Sequence, residues 1–170
     1  MQMRYCPLCK SDLELVTIEN NAKLKCSKCY FTFWNNPSPV TASILLYNND
    51  IVLVRPNYVK NDTWMLPGGY VDESETAEDA LIREIKEETN TDAKINKFIG
   101  TYPITRTNKN LLYIVFEAQV LSGVPKASAE IAEIVTVDSK LILNQNFGAT
   151  TSNVIHDWIN SKTFESVISK

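Results

Sequence analysis

The chain reads as an α/β protein preceded by a small metal-stapled segment, and three observations predict this. Apolar runs of strand length, rich in β-branched and aromatic residues, recur through the body of the sequence. A strongly acidic segment with helical apolar spacing lies among them. All four cysteines fall within the first 29 residues, as two C-x-x-C pairs. The 170 residues, 44% of them hydrophobic, suffice for one compact domain plus an appendage.

Taken in order, the first element is the cysteine segment. Cys6-Pro7-Leu8-Cys9 and Cys26-Ser27-Lys28-Cys29 are separated by sixteen residues, the spacing of a four-cysteine structural zinc site. Disulfides and a redox pair are the alternatives. No secretory leader pattern precedes the cysteines and no thioredoxin-like strand–helix pattern surrounds them, so Zn²⁺ and a cytoplasmic location are expected. Four thiolates would close the coordination sphere and make the zinc structural. About 30 residues bury too little core to fold alone, so metal binding would supply the folding energy. Residues 1–36 are therefore expected to form a zinc ribbon and 37–170 the main domain, with Asn35-Asn36-Pro37-Ser38-Pro39 as the linker.

In the body, Val40 to Tyr47 and Ile51 to Arg55 read as a hairpin around Asn48-Asn49-Asp50. Strands are predicted over Lys94 to Tyr102, Leu111 to Leu121 and Ile131 to Val137. A C-terminal helix is predicted around Val154 to Ile159, capped by Thr151 or Ser152. Between the second and third strands lies the acidic helix. Thr76 is its expected N-cap, with Asp79 completing the capping box. Ala77, Ala80, Leu81 and Ile85 form an apolar stripe, with Glu84, Glu87 and Glu88 expected beside it.

Those three glutamates stand at i, i+3 and i+4, one turn of helix apart on one face. Like charges at this spacing repel by a few tenths of a kcal/mol, roughly, per pair. From Asp72 to Asp92 nine acids face only Arg83 and Lys86. A solvated acidic helix is the ordinary reading of such a segment. The loop before it shifts the balance. In Trp64-Met65-Leu66-Pro67-Gly68-Gly69-Tyr70-Val71, two adjacent glycines permit a sharp turn and close approach to a ligand. Strand, glycine loop and acidic helix together suit a metal-bound phosphate chain. Hard oxygen donors without histidine or cysteine nearby indicate Mg²⁺ or Mn²⁺.

Gly69, Glu75 and Arg83-Glu84-Ile85-x-Glu87-Glu88 have the spacing Gly, five residues, Glu, seven residues, Arg-Glu-aliphatic-x-Glu-Glu. This resembles the Nudix box. The box ordinarily ends x-Gly-aliphatic, where this chain has Thr89-Asn90-Thr91. Asn tolerates the αL geometry common just past a helix, so the departure bears on the helix exit more than on the chemistry. The resemblance covers residues 40 to about 160 and implies an α/β/α sandwich around a mixed sheet, the Nudix form of the α/β (α+β) class. It implies hydrolysis of the pyrophosphate bond in a nucleoside diphosphate linked to another moiety. It implies Glu84, Glu87 and Glu88, with the carbonyl of Gly69, as ligands of Mg²⁺ or Mn²⁺, and an Arg83–Glu75 pair that braces the loop. The general base varies in this family, and Glu84, Glu133 and, as a substitute, Glu130 are the candidates here.

A zinc ribbon before a Nudix body is similar to two groups. NADH pyrophosphatases carry a Ser-Gln-Pro-Trp-type array after the box, where this chain has Gly100-Thr101-Tyr102-Pro103-Ile104. Zinc-ribbon enzymes acting on FAD or ADP-ribose carry Tyr/Phe-x-Asn-Pro at the junction, and Phe33-Trp34-Asn35-Asn36-Pro37 is similar. The expectation is thus an ADP-ribose or FAD pyrophosphatase releasing AMP, with NADH pyrophosphatase and a non-catalytic nucleotide- or RNA-binding protein as alternatives. Retention of every box carboxylate favours catalysis. Phe33, Trp34, Tyr58 and Tyr102 are rings that could stack a base. Arg55 and Arg106, with Tyr102, are the substrate-contact candidates; core or surface placement is the competing reading for each. His156 is expected on the polar face of the last helix. A prenyl-diphosphate isomerase is disfavoured because the body has no cysteine. The net charge of −3 argues against a dedicated nucleic-acid surface. No membrane partner is expected, since no apolar run is long enough to span one. Many family members are homodimers, and nothing in the chain fixes the assembly.

Overall fold

The computed structural model describes residues 3–106 and 109–168, with side chains described for 3–104 and 109–162. The chain groups into two compact units, one built on the residues up to Pro37 and one on Ser38–Ile104 and Leu111 onward.

The smaller unit is a three-stranded antiparallel sheet in the order β1 (Leu13–Ile18), β2 (Asn21–Cys26), β3 (Thr32–Phe33). Glu19 and Asn20, with φ of 48° and 64°, form the two-residue turn between β1 and β2. Positive φ at both positions matches the twist of the flanking strands.

The larger unit contains β4 (Ser38–Tyr47), β5 (Asp50–Pro56), α1 (Ala77–Thr89), β6 (Asp92–Arg106), β7 (Lys109–Ser122), β8 (Ile131–Asp138), a 3₁₀ turn at Ile142–Asn144, and α2 (Ala149–Ile168). Its five-stranded sheet has the order β6-β7-β4-β5-β8. β4 runs parallel to β7 and antiparallel to β5, and β5 is antiparallel to β8, so the sheet is mixed. Asn48 (φ 50°) and Asn49 (φ 71°) make the β4–β5 turn, closing Tyr47 onto Asp50, so Asp50, read as part of the turn, already opens β5.

The sheet is covered on both faces, giving the expected sandwich. Leu45, Val52, Phe116 and Ala118 pack beneath Leu81 and Ile85 of α1. Ala42, Ile44, Leu46, Leu53 and Val115 pack against Val154, Ile155 and Trp158 of α2. Burial on both faces explains why β4 and β5 read as continuous apolar runs. The Trp158 indole N–H donates to buried Glu117 of β7 at 2.6 Å, and the Asn96 amide donates to the same carboxylate at 3.3 Å. Among the described residues no helix is long and apolar enough to cross a membrane.

Three local expectations are corrected. Ser38 and Pro39, read as linker, already pair with Leu111 and Leu112 as the start of β4. α2 begins at Ala149, so Thr151 and Ser152 lie inside its first turn. The Ser152 N–H bonds to the Gly148 carbonyl at 3.0 Å, because Gly148 occupies the cap. Glu88, expected beside the apolar stripe, is buried together with Leu81 and Ile85. It stands three residues after Ile85 and seven after Leu81, which is the same face of the helix.

Candidate functional site

α1 starts and stops as its sequence dictates. The Thr76 hydroxyl oxygen accepts from the Asp79 N–H at 3.1 Å, and Asn90 closes the helix in the αL region at φ 57°. Asn90 stands where the family pattern has Gly, and its amide also donates to the Lys126 carbonyl at 2.9 Å. Thr91 is buried just before β6, its hydroxyl 2.7 Å from that of Thr89.

The glycine loop is laced to β4 through backbone atoms. The Thr41 N–H donates to the Gly69 carbonyl at 2.8 Å, Ser43 to Pro67 at 2.9 Å, and Val71 to Pro39 at 3.2 Å. Gly68 has φ 149°, and a Cβ there would lie 2.1 Å from the Thr41 carbonyl oxygen. A Cβ on Gly69 would lie 2.2 Å from Glu84 Oε1. Backbone crowding thus demands glycine at position 68, while at Gly69 a Cβ would have to displace the Glu84 carboxylate.

Arg83 organises the surroundings. Its Nε and Nη2 donate to the two oxygens of Glu75, both at 2.9 Å. Nη2 also donates to the Tyr70 carbonyl at 3.1 Å, and Nη1 to Glu84 at 2.9 Å and Glu87 at 3.2 Å. Five N–H groups thus meet five acceptors, joining loop and helix through one planar group. The Arg83 bond, helped by the Asp72 N–H, holds the Glu75 carboxyl below its ordinary value.

Glu88 is 8% exposed, and its Oε2 accepts from the Gly68 N–H at 2.9 Å. Burial, compounded by the charges of Glu84, Glu130 and Glu87, pushes its carboxyl up to about 8. Burial also raises Glu84, outweighing the contact with Arg83. Glu84, Glu87 and Glu88 are hard oxygen donors on one turn of helix whose mutual repulsion a divalent cation would offset, so the donor set fits Mg²⁺ or Mn²⁺. In this arrangement Glu84 and Glu87 converge on Arg83 Nη1, and the Gly69 carbonyl is engaged by Thr41.

A cavity of about 360 Å³ opens beside Glu88, lined also by Pro56, Asn57, Tyr58, Ala129, Glu130 and Ile131. The other residues singled out from sequence are not among its lining residues. Glu133 stands opposite Arg55 in the β5–β8 ladder and is ion-paired with it. Arg55 also meets Asp62 at 3.1 Å and lies 5.0 Å over the Trp64 ring. The Tyr102 hydroxyl donates to Asp157 of α2 at 2.8 Å. The Arg106 side chain lies outside the described residues. Phe33 and Trp34 belong to the smaller unit, where Lys23 lies 5.9 Å over the Trp34 ring. His156 is exposed on α2. Sequence reasoning missed the Gly68 N–H and the Tyr70 carbonyl as partners of charged groups, because backbone atoms leave no side-chain signal.

In the smaller unit the four cysteines converge. Their sulfur atoms all lie within 4.8 Å of one another, with Cys9–Cys26, Cys6–Cys29 and Cys9–Cys29 separations of 3.4, 3.6 and 3.7 Å. A tetrahedral zinc with Zn–S of about 2.3 Å requires sulfur separations of about 3.8 Å. The Lys28 and Cys29 N–H groups donate to Cys26 Sγ at 3.3 and 3.4 Å, which suits a thiolate. The quartet therefore fits zinc. Among the described residues it is the one such group of His, Cys, Asp or Glu ligand atoms gathered this closely.

The family model for the NUDIX domain matches residues 37–157. The chain belongs to the Nudix family. It is 33% identical over 106 residues to an ADP-ribose pyrophosphatase of Methanocaldococcus jannaschii, covering 61% of this chain and 63% of that protein. It is 27% identical over 101 residues to an NAD-capped RNA hydrolase, NudC, of Vibrio atlanticus, covering 59% and 37%. The chain thus spans less than two thirds of the length of these curated relatives. The crystal structure of a Nudix hydrolase from Nitrosomonas europaea superposes with a TM-score of 0.76 at 21% identity, over 90% of this chain and 88% of that one. That likeness concerns the fold of this Nudix protein.

Proposed function

We propose that this Nudix protein hydrolyses the pyrophosphate bond of a nucleoside diphosphate joined to another group, with ADP-ribose or FAD as substrate and AMP as product. The observation that carries the reading is Glu88: a carboxylate buried against a glycine-loop N–H and crowded by Glu84, Glu87 and Glu130. Such a group has little structural use, and it suits a cation site. Glu84, Glu87 and Glu88, with the Gly69 carbonyl, would hold Mg²⁺ or Mn²⁺. The ion would neutralise phosphate oxygens and make a bound water more acidic. Arg83 and Glu75 keep loop and helix in register around it. We assign residues 1–36 to a ribbon holding structural Zn²⁺ through Cys6, Cys9, Cys26 and Cys29, and 37–170 to the Nudix domain.

Glu130, rather than Glu133, is our choice for the group that takes the water's proton. It lines the cavity with Glu88, whereas Glu133 is bound to Arg55. Tyr58, in the same cavity wall, is the ring available to a base there. Glu130→Gln should lower kcat by roughly 100-fold or more, and Glu133→Gln by a few-fold. The reverse order would return the role to Glu133.

Resemblance to the M. jannaschii protein, named for ADP-ribose, supports the substrate class, and the similarity to NudC, named for NAD-capped RNA, supports cleavage of an NAD-type diphosphate, with NADH as its simplest probe, as the second reading. The test is AMP release from ADP-ribose, FAD and NADH with and without Mg²⁺. Turnover of ADP-ribose or FAD well above NADH supports the proposal, and preferential NADH cleavage favours the second reading. Silence across the panel, with tight nucleotide or RNA binding, would point to a non-catalytic protein.

A further inference from the structure

The β5–β8 ladder loses its register at one place. Arg55 faces Glu133, but the next residue, Pro56, faces Ile131, so Ala132 has no opposite number. Pro56 has no N–H to give the ladder, and irregular pairing is the usual consequence. Such a bulge re-aims the side chains beyond it, because a one-residue slip exchanges the two faces of a strand. Immediately past the bulge, Asn57 grips the β8 side twice. Its N–H donates to the Glu130 carbonyl at 2.9 Å and its side-chain amide to the Ala129 carbonyl at 2.6 Å. On the other side, the Glu130 N–H meets the Ser128 hydroxyl at 3.3 Å. The segment preceding β8 is therefore held to the end of β5 by one asparagine, and the held segment is the one that carries Glu130 into the cavity with Glu88.

We infer that Asn57 is a positioning residue that fixes Glu130 opposite Glu88, and that the Pro56 bulge exists to present Glu130 there. The inference rests on the reading of Glu130 as the proton acceptor. Asn57 does its work through the backbone of residues 129 and 130. A displacement of about 1 Å in a reacting group can cost 100-fold in rate. Removing one of the two grips is thus expected to lower kcat by about 10- to 100-fold.

The experiment is a double-mutant cycle of Asn57→Ala and Glu130→Gln, assayed for kcat and KM on the full chain with Mg²⁺, beside a crystal structure of Asn57→Ala. Expected are a fall in kcat with KM changed by no more than about 2-fold, and no further fall when Asn57→Ala is added to Glu130→Gln. The crystal structure should show the Glu130 carboxylate displaced by about 1 Å or more. Asn57→Asp, which lacks the amide donor, should behave like Asn57→Ala and guards against a packing artefact of truncation. Equal rate losses from Asn57→Ala in both backgrounds, or an unmoved Glu130 in the crystal, would overturn the inference while leaving Glu130 in its role. A wild-type rate for Glu130→Gln would overturn that role and the inference with it.

Discussion

Replacing Glu88 by Gln should make the protein both inactive and, in alkaline magnesium-free buffer, harder to unfold. The carboxyl moves from an ordinary 4.5 in the unfolded chain to about 8 in the folded one. A raised carboxyl means that the folded chain binds more protons than the unfolded chain between those values. Its contribution to stability is complete below about 4.5 and is lost as pH rises through about 8. At 1.36 kcal/mol per pH unit, and allowing for relaxation around the charge, the loss is roughly 2–5 kcal/mol. Gln carries no such charge. The measurement is Tm against pH for both proteins without divalent ions. Below about pH 4 the two should differ by a nearly constant offset; from there to about pH 9 the variant should gain roughly 4–15 °C on the wild type. Adding Mg²⁺ should raise the wild-type Tm and leave the variant unmoved. Parallel Tm curves for the two proteins across this range would refute the argument, because Glu88 would then titrate like a solvated carboxylate.

Gly69→Ala should cost about 100-fold or more in kcat while the far-UV spectrum is preserved, since a Cβ would stand 2.2 Å from Glu84 Oε1 and must expel it. Elemental analysis of the purified protein should find one zinc per chain, and Cys26→Ser should abolish it and expose residues 1–36 to limited proteolysis, leaving the Nudix domain intact. Asn90→Ala should destabilise by about 1–2 kcal/mol in urea titrations, because Asn90 sits at φ 57° and holds the Lys126 carbonyl; Asn90→Gly should lose less than about 1 kcal/mol.

What the sequence disclosed follows from how local each signal is. The Thr76 cap, the Asn48-Asn49 turn and the αL exit at Asn90 each depend on a residue and its near neighbours, so each could be read directly. The box carboxylates are within one turn of helix, and their common face needs only helical geometry. Glu88 was harder to place, because a charged residue on an apolar face contradicts the pattern that defines the face. Contacts across the sheet gave no warning. Arg55 meets Glu133 only because β5 and β8 are neighbours, and Tyr102 meets Asp157 only because α2 covers that face. The choice between Glu130 and Glu133 turns on a single-residue bulge. Pro56 was its one visible token, legible only once the partner strand is known.

The glycine loop is fastened to β4 by main-chain hydrogen bonds at Pro67, Gly69 and Val71. The path of the loop beside β4 is therefore set by these backbone bonds, and a mutational scan should find Val71 more forgiving than Gly68 and Gly69. Evolution could thus retune what the protein accepts by repainting neighbouring walls while the scaffold beneath the acidic cluster stays put.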